Sequence, residues 1–182
     1  MGMKPDNSGM QLCLDMSDKK SFKFIKNAEI KNKADIYITD GEIIAVSGDT
    51  VTVISDGELE KLLKDGGIKK RVHDFKNLSK KYSDIAGVRF DTMLAAYLCN
   101  PSASSYATDR IIAEYAPYEP EIEGETDELI KNACLFSLAC DTLENELEKT
   151  GQKKLFDEIE LPLARVLGEM ELCGFSADVN GL

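Results

Sequence analysis

The segment Val88-Arg89-Phe90-Asp91-Thr92-Met93-Leu94-Ala95-Ala96-Tyr97-Leu98-Cys99-Asn100-Pro101 decides the fold class. Val88 and Phe90 alternate with Arg89, the pattern of a short strand with one buried face. Asp91 or Thr92 suits a helix N-cap, because a short side-chain oxygen accepts a bond from an otherwise unpaired backbone N–H. Met93, Leu94, Tyr97 and Leu98 recur at helical spacing and are expected on the buried face. Asn100-Pro101 ends the helix, since the residue before a proline avoids helical dihedrals. The chain thus runs straight from a strand into a capped, half-buried helix.

Upstream, Ile36-Tyr37-Ile38-Thr39 is strand-like, Asp40-Gly41 is a hairpin turn, and Glu42 to Ser47 is the next strand. Gly48-Asp49 turns again into Thr50 to Ile54, so three strands form an antiparallel meander. Ser55 or Asp56 caps a helix with Leu59, Leu62 and Leu63 inward, closed by Gly66-Gly67. Ile68 to Val72 is a fourth strand, and Asp74 to Tyr82 a short helix with Phe75 and Leu78 inward. These elements predict an α/β fold: a mixed sheet of about five strands flanked by helices, with Val88 and Phe90 beside Ile68 to Val72.

On the near side of the meander, Phe22, Phe24 and Ile25 start a short element, and Met1 to Lys20 reads as a flexible tail or linker. Downstream, Asp109 to Tyr115 is a short helix broken by Pro117-Tyr118-Glu119-Pro120, and Glu121 to Glu128 is an acidic loop. A long helix from Asp127 to Glu148 carries Leu129, Ala133, Phe136, Ala139, Cys140, Leu143 and Leu147 on one face and ends at Gly151. A last helix starts near Lys153, is kinked at Pro162 and closes at Gly174.

Of the 182 residues, 43% are hydrophobic, enough for a real core. The 33 acidic residues against 22 basic give a formal charge of -11, which disfavours a free-standing nucleic-acid binder held by phosphate contacts. Cys13, Cys99, Cys134, Cys140 and Cys173 include no closely spaced pair of the zinc-binding kind, and most sit in apolar surroundings, as core thiols of a reducing compartment do. With no membrane-length apolar run and no signal-like N-terminus, a cytoplasmic protein is expected.

The wording Phe90-Asp91-Thr92-Met93-Leu94, with Tyr97-Leu98 and Pro101, resembles the 3′–5′ exonuclease-like domain of the family A DNA polymerases. Val72-His73-Asp74-Phe75-Lys76 resembles the segment just before it. Leu155 to Leu163, Val166 to Glu171 and Gly174-Phe175 resemble the junction into the polymerase domain. The resemblance implies a ribonuclease H-like sheet and three regions: 1–20 a tail or linker, 21–151 the exonuclease-like domain, and 152–182 the start of the polymerase domain. It implies a fragment of a DNA-synthesising and repair enzyme, with DNA and the polymerase domain of the same polypeptide as partners. It also implies that magnesium belongs to the polymerase domain and that this chain needs no cofactor.

Active exonucleases of this family hold two divalent metals with four carboxylates, and the metals activate a water and stabilise the leaving oxygen. Asp40-Gly41-Glu42 has the spelling of the Asp-x-Glu pair on the first strand, yet Asp-Gly between two strands is also a strong turn signal. The third carboxylate is expected where Leu78 stands. Ser137 and Asp141 keep the spacing of the tyrosine and fourth carboxylate on the long helix, without the tyrosine. The expectation is a domain that kept the fold and lost its metal site, with no catalytic or metal residues; the alternatives are an exonuclease using Asp40, Glu42 and Asp141, or an independent interaction module. Asp141 reads as a solvated helix residue, and His73, the sole histidine, as structural. Lys69, Lys70, Arg71, Lys76, Lys80 and Lys81 form one basic cluster, a solvated face or a DNA contact. In the last helix Leu155, Phe156, Ile159, Leu161, Leu163, Val166, Leu167, Met170 and Leu172 exceed one apolar stripe, which predicts an exposed patch.

Overall fold

A computed structural model describes residues 19–39, 41–124 and 126–174. The expected tail therefore lies almost wholly outside the described residues. β1 (Ser21–Phe24), β2 (Lys33–Ile38), β3 (Ile43–Ser47), β4 (Thr50–Ile54), β5 (Lys69–Val72), β6 (Val88–Asp91) and β7 (Glu121–Glu123) form one sheet. Its order is β6-β5-β2-β3-β4-β1-β7. β2, β3 and β4 are the antiparallel meander, and β5 and β6 extend it in parallel on the β2 side, as the ribonuclease H-like order requires.

Two strands exceed the expected five. β1 lies parallel to β4, and β7 lies parallel to β1. Residues 121–123, read from the sequence as part of an acidic loop, thus form a short edge strand. Ile122 is half-buried between exposed Glu121 and Glu123, so a period of two was hidden inside a run of charge.

Strand alternation sends Ala34, Ile36, Ala45 and Val72 to one face, where they meet Leu59, Leu62 and Leu63 of α1 (Asp56–Lys64) and Phe75 and Leu78 of α2 (Phe75–Lys81). Ser55 and Glu58 close a reciprocal capping box at the start of α1. Phe90, Ile44, Val46 and Val51 point to the other face, against α3 (Thr92–Cys99), α4 (Thr108–Tyr115) and α5 (Glu128–Lys149). The buried face of α3 matches the expected one in part: Leu98 is buried and Leu94 packs against the core, but Thr92, Ala95 and Ala96 fill the rest of that face and Tyr97 is 47% exposed. The alanines admit α5 closely, whereas Tyr97 packs edge-on against Tyr106.

Asp91 ties the two strand–helix units together. Its buried carboxylate accepts N–H bonds from Met93 (2.9 Å) at the start of α3, and from Asp74 (3.1 Å) and Phe75 (2.8 Å) at the start of α2. One side chain thereby satisfies orphan donors of two helices. Gly87, at φ 72°, lets the chain turn into β6, because a Cβ there would strike the Ile68 carbonyl.

The last helical segment comprises α6 (Lys153–Leu155), a π turn (Phe156–Glu160) and α7 (Leu161–Cys173). The π turn lies immediately before Pro162, and the Leu161 N–H reaches Phe156 O, five residues back. Widening the helix there accommodates a ring that would otherwise crowd the carbonyl one turn earlier, so a π turn stands where a kink was expected. α7 packs on α2 through Ala164 and Gly168, where an added Cβ would come within 3.0 Å of Lys76 O. Among the described residues no helix is long and apolar enough to cross a membrane.

Replacing Asp91 by alanine leaves three N–H groups without their acceptor and should cost about 2–4 kcal/mol in urea unfolding. Burial pushes the Asp91 carboxyl up to about 6. The folded chain therefore holds this proton more tightly than the unfolded one. The stability it contributes is complete below the ordinary aspartate range and is lost as pH rises through about 6. Carboxyl-resolved NMR should place its titration near that pH.

Candidate functional site

Two of the elements from which the resemblance draws its carboxylates are the first meander strand and the long helix. On β2, Asp35 lies between Ala34 and Ile36, so it points to the α5 face while they point to α1 and α2. On β5, Arg71 lies between Lys70 and Val72, and the parallel register sets it beside Asp35. On α5, Ser137, Asp141 and Glu144 follow at helical spacing along one face.

These five residues meet. Arg71 is 2% exposed, and its guanidinium grips Asp35 through Nε–Oδ1 at 2.5 Å and Nη2–Oδ2 at 2.6 Å. Its Nη1 donates to Asp141 at 2.5 Å and to Glu144 at 3.4 Å, and Nη2 donates to Ser137 O at 3.2 Å. Ser137 Oγ donates to Asp35 Oδ2 at 2.6 Å. All three nitrogens of the fork are thus engaged, in the bidentate geometry that arginine favours. Lys20 and Lys33 approach Asp141 at 3.5 and 3.7 Å from the solvent side.

Burial alone would lower the Arg71 pKa, but the Asp35 bonds and the surrounding carboxylates hold it above its ordinary value. Burial raises the Asp141 carboxyl, yet Arg71, Lys20 and Lys33 together bring it below the usual range. Beneath the cluster, burial pushes the Cys140 thiol well up, so it is an inert core thiol.

The other sequence-predicted residues are elsewhere. Asp40 lies outside the described residues. Glu42 is exposed in the turn from β2 to β3, where its N–H bonds Thr39 Oγ1 at 3.1 Å. It lines a groove with Phe24, Ile38, Val53, Asp56 and Lys81, whereas Asp141 lines a different one with Lys20, Tyr115, Tyr118 and Leu138. The trio Asp40, Glu42 and Asp141 therefore does not assemble through its two described members. Asp141 keeps a side chain that is 41% exposed, as a solvated helix residue does, and it is also ion-paired to Arg71. Leu78 is buried in the core on the α1–α2 face. His73 Nδ1 lies 2.9 Å from Thr92 Oγ1, and burial holds its pKa below the ordinary value, so it is a neutral structural histidine.

The basic cluster is dispersed. Buried Lys70 donates to the Asp65 and Ala86 carbonyls, Lys76 and Lys80 both pair with Glu171, and Lys81 pairs with Asp56. Lys69 and Lys81 are exposed and Lys76 and Lys80 are half-buried, so part of the cluster is a solvated surface. Asp35 escaped the sequence reading and Arg71 was read only as one member of the basic cluster, although each is a charge flanked by buried positions within a strand, which is the available signal.

Residues 25–126 match the family model described as DNA polymerase I, ribonuclease H-like domain. The chain belongs to this family. The DNA polymerase I of Mycobacterium tuberculosis is 30% identical across 79% of this chain and 18% of its own length. That of Bacillus subtilis is 32% identical across 54% of this chain and 13% of its own. The chain thus spans less than a fifth of the curated relatives it matches. A solved structure titled as the POL domain of Pol1 from M. smegmatis, in complex with DNA primer-template and dNTP, superposes with a TM-score of 0.63. It is 25% identical, over 81% of this chain and 29% of that one. Brucella melitensis NrnC, at 20% identity and a TM-score of 0.57 over 87% of this chain and 97% of its own, shares the fold.

Among the described residues no three His, Cys, Asp or Glu side chains are grouped to hold a metal ion. Both oxygens of Asp35 are committed to Arg71, and a leucine stands where a third carboxylate is expected.

Arg71→Ala should destabilise the fold by about 3–5 kcal/mol, because it strands a buried carboxylate. The paired change Asp35→Leu with Arg71→Met should cost clearly less than Arg71→Ala alone, since no buried charge is left unpaired. Urea midpoints of the three proteins check this.

Proposed function

We propose that this chain is a ribonuclease H-like domain of a family A DNA polymerase that supports the polymerase module and does not hydrolyse DNA. The single observation behind this reading is the Arg71 guanidinium lodged between Asp35 and Asp141. Two facing carboxylates require a cation. A divalent metal neutralises them and also activates a water. A guanidinium neutralises them equally well but polarises no water for attack, and its pKa is too high for it to act as a base.

The same exchange explains why such a fold persists without chemistry. Arg71 joins β5, β2 and α5, so the former site becomes a fastener between sheet and helix. Contact with DNA is assigned to the polymerase as a whole, because the formal charge is -11 and most cations of the basic cluster are paired or buried. Magnesium chemistry is assigned to the polymerase module.

Incubation of the purified chain with single-stranded DNA and magnesium or manganese should release no nucleotides, and Glu42→Gln or Asp141→Asn should change nothing. Metal-dependent release that is abolished by Glu42→Gln would overturn the proposal in favour of an active exonuclease.

A further inference from the structure

A groove of about 550 Å³ runs beside the Arg71 cluster, between α5 and the connector that follows α4. Leu138, Asp141 and Thr142 line it from α5, Tyr115 from the end of α4, and Tyr118 from the connector. Lys20 reaches both walls. Its backbone N–H donates to Tyr118 Oη at 3.0 Å, and its ammonium lies 3.5 Å from Asp141 Oδ2. The same ammonium sits 5.1 Å from the centre of the Phe22 ring, within range of a cation–π contact. The last residue of the stretch read from the sequence as a tail is thus fastened to the domain.

The two sides of Asp141 are held unequally. Its Oδ1 accepts from the buried Arg71 guanidinium, while its Oδ2 turns to Lys20. The Lys20 and Asp141 side chains are 33% and 41% exposed, so water and salt screen the outer pair. Lys20 also leads into the least anchored part of the sheet. β1 meets β4 only at Lys23–Thr50 and Phe24–Val51, whereas β3 and β4 pair along their whole length. β7, at the sheet edge, is held through β1.

We propose that Lys20 is a latch for this groove. Closed, it ties the entry of the chain to α5 and to the connector. Released, it lets residues 19–21 and 116–123 move away from α5 and opens the groove at Asp141. Phe22 is the pivot, because its ring stays buried against Ile44, Val51 and Leu138. The segment that precedes Lys20 is thereby coupled to the helix that carries Asp141.

Hydrogen exchange of the 182-residue chain, read by mass spectrometry, tests the latch. Lys20→Ala should speed exchange in residues 19–24 and 116–123 by about fivefold and leave β3, β4 and α1 unchanged. Lys20→Arg, which keeps the cation, should stay at the wild-type rate. Raising sodium chloride from about 0.05 to about 0.5 M should speed the same segments in the wild type and add nothing in Lys20→Ala. Unaltered exchange in Lys20→Ala would overturn the proposal, as would a rise spread evenly over the sheet. Salt sensitivity that persists in Lys20→Ala would move the tie to Lys23–Glu123 or Lys131–Glu119, and would overturn it too.

Discussion

A buried guanidinium between two carboxylates from different elements is the constraint on which this domain turns. Arg71 on β5 holds Asp35 on the neighbouring β2 in a bidentate grip and reaches across to Asp141 on α5. Neither Arg71 nor Asp35 could be buried alone, because an isolated ion in a low-dielectric interior is far costlier than a paired one. Each therefore requires the other, and both require α5 to sit where it does. The sheet register, the helix docking and the charge state are one arrangement.

This changes what a ribonuclease H-like site means in the present chain. The family architecture brings carboxylates from the first meander strand and the long helix to one place. Here Asp35 on β2 and Asp141 on α5 meet at the Arg71 guanidinium. Ser137, one turn before Asp141, donates to Asp35 and completes the satisfaction of that carboxylate. A cluster in which the buried donors and acceptors find partners fixes a helix against a sheet.

A second carboxylate carries the other half of the fold. Asp91 caps α2 and α3 together, so the parallel pair β5–β6 and its helices are joined at one buried side chain. The domain thus places its buried acids at junctions between elements. At the surface, Glu171 pairs with both Lys76 and Lys80, which fastens α7 to α2. With α7 held by that inner face, its outer apolar stripe is turned away from the domain.

Most of the fold was legible in the sequence, because local chemistry decided it. Alternation in Thr50–Ile54, the Ser55 cap of α1, the helical period of α5 and the strand-to-helix step at Asp91 are each set by neighbouring residues whatever lies far away. The excess of apolar residues after Lys153 was equally plain, since it depends only on counting stripes. What the sequence hid was anything fixed by register between distant segments. β7 resembled an acidic loop because its pairing with β1 joins residues about a hundred positions apart. Tyr97 looked inward until the small side chains of α3 were set against α5. Asp35, Arg71 and Asp141 are ordinary charges singly, and Asp40-Gly41-Glu42 spelled the expected motif where the sequence also signals a turn. Only the parallel register of β2 and β5 and the docking of α5 put a guanidinium between two carboxylates, because burying charge is a property of the assembled neighbourhood and not of any one segment.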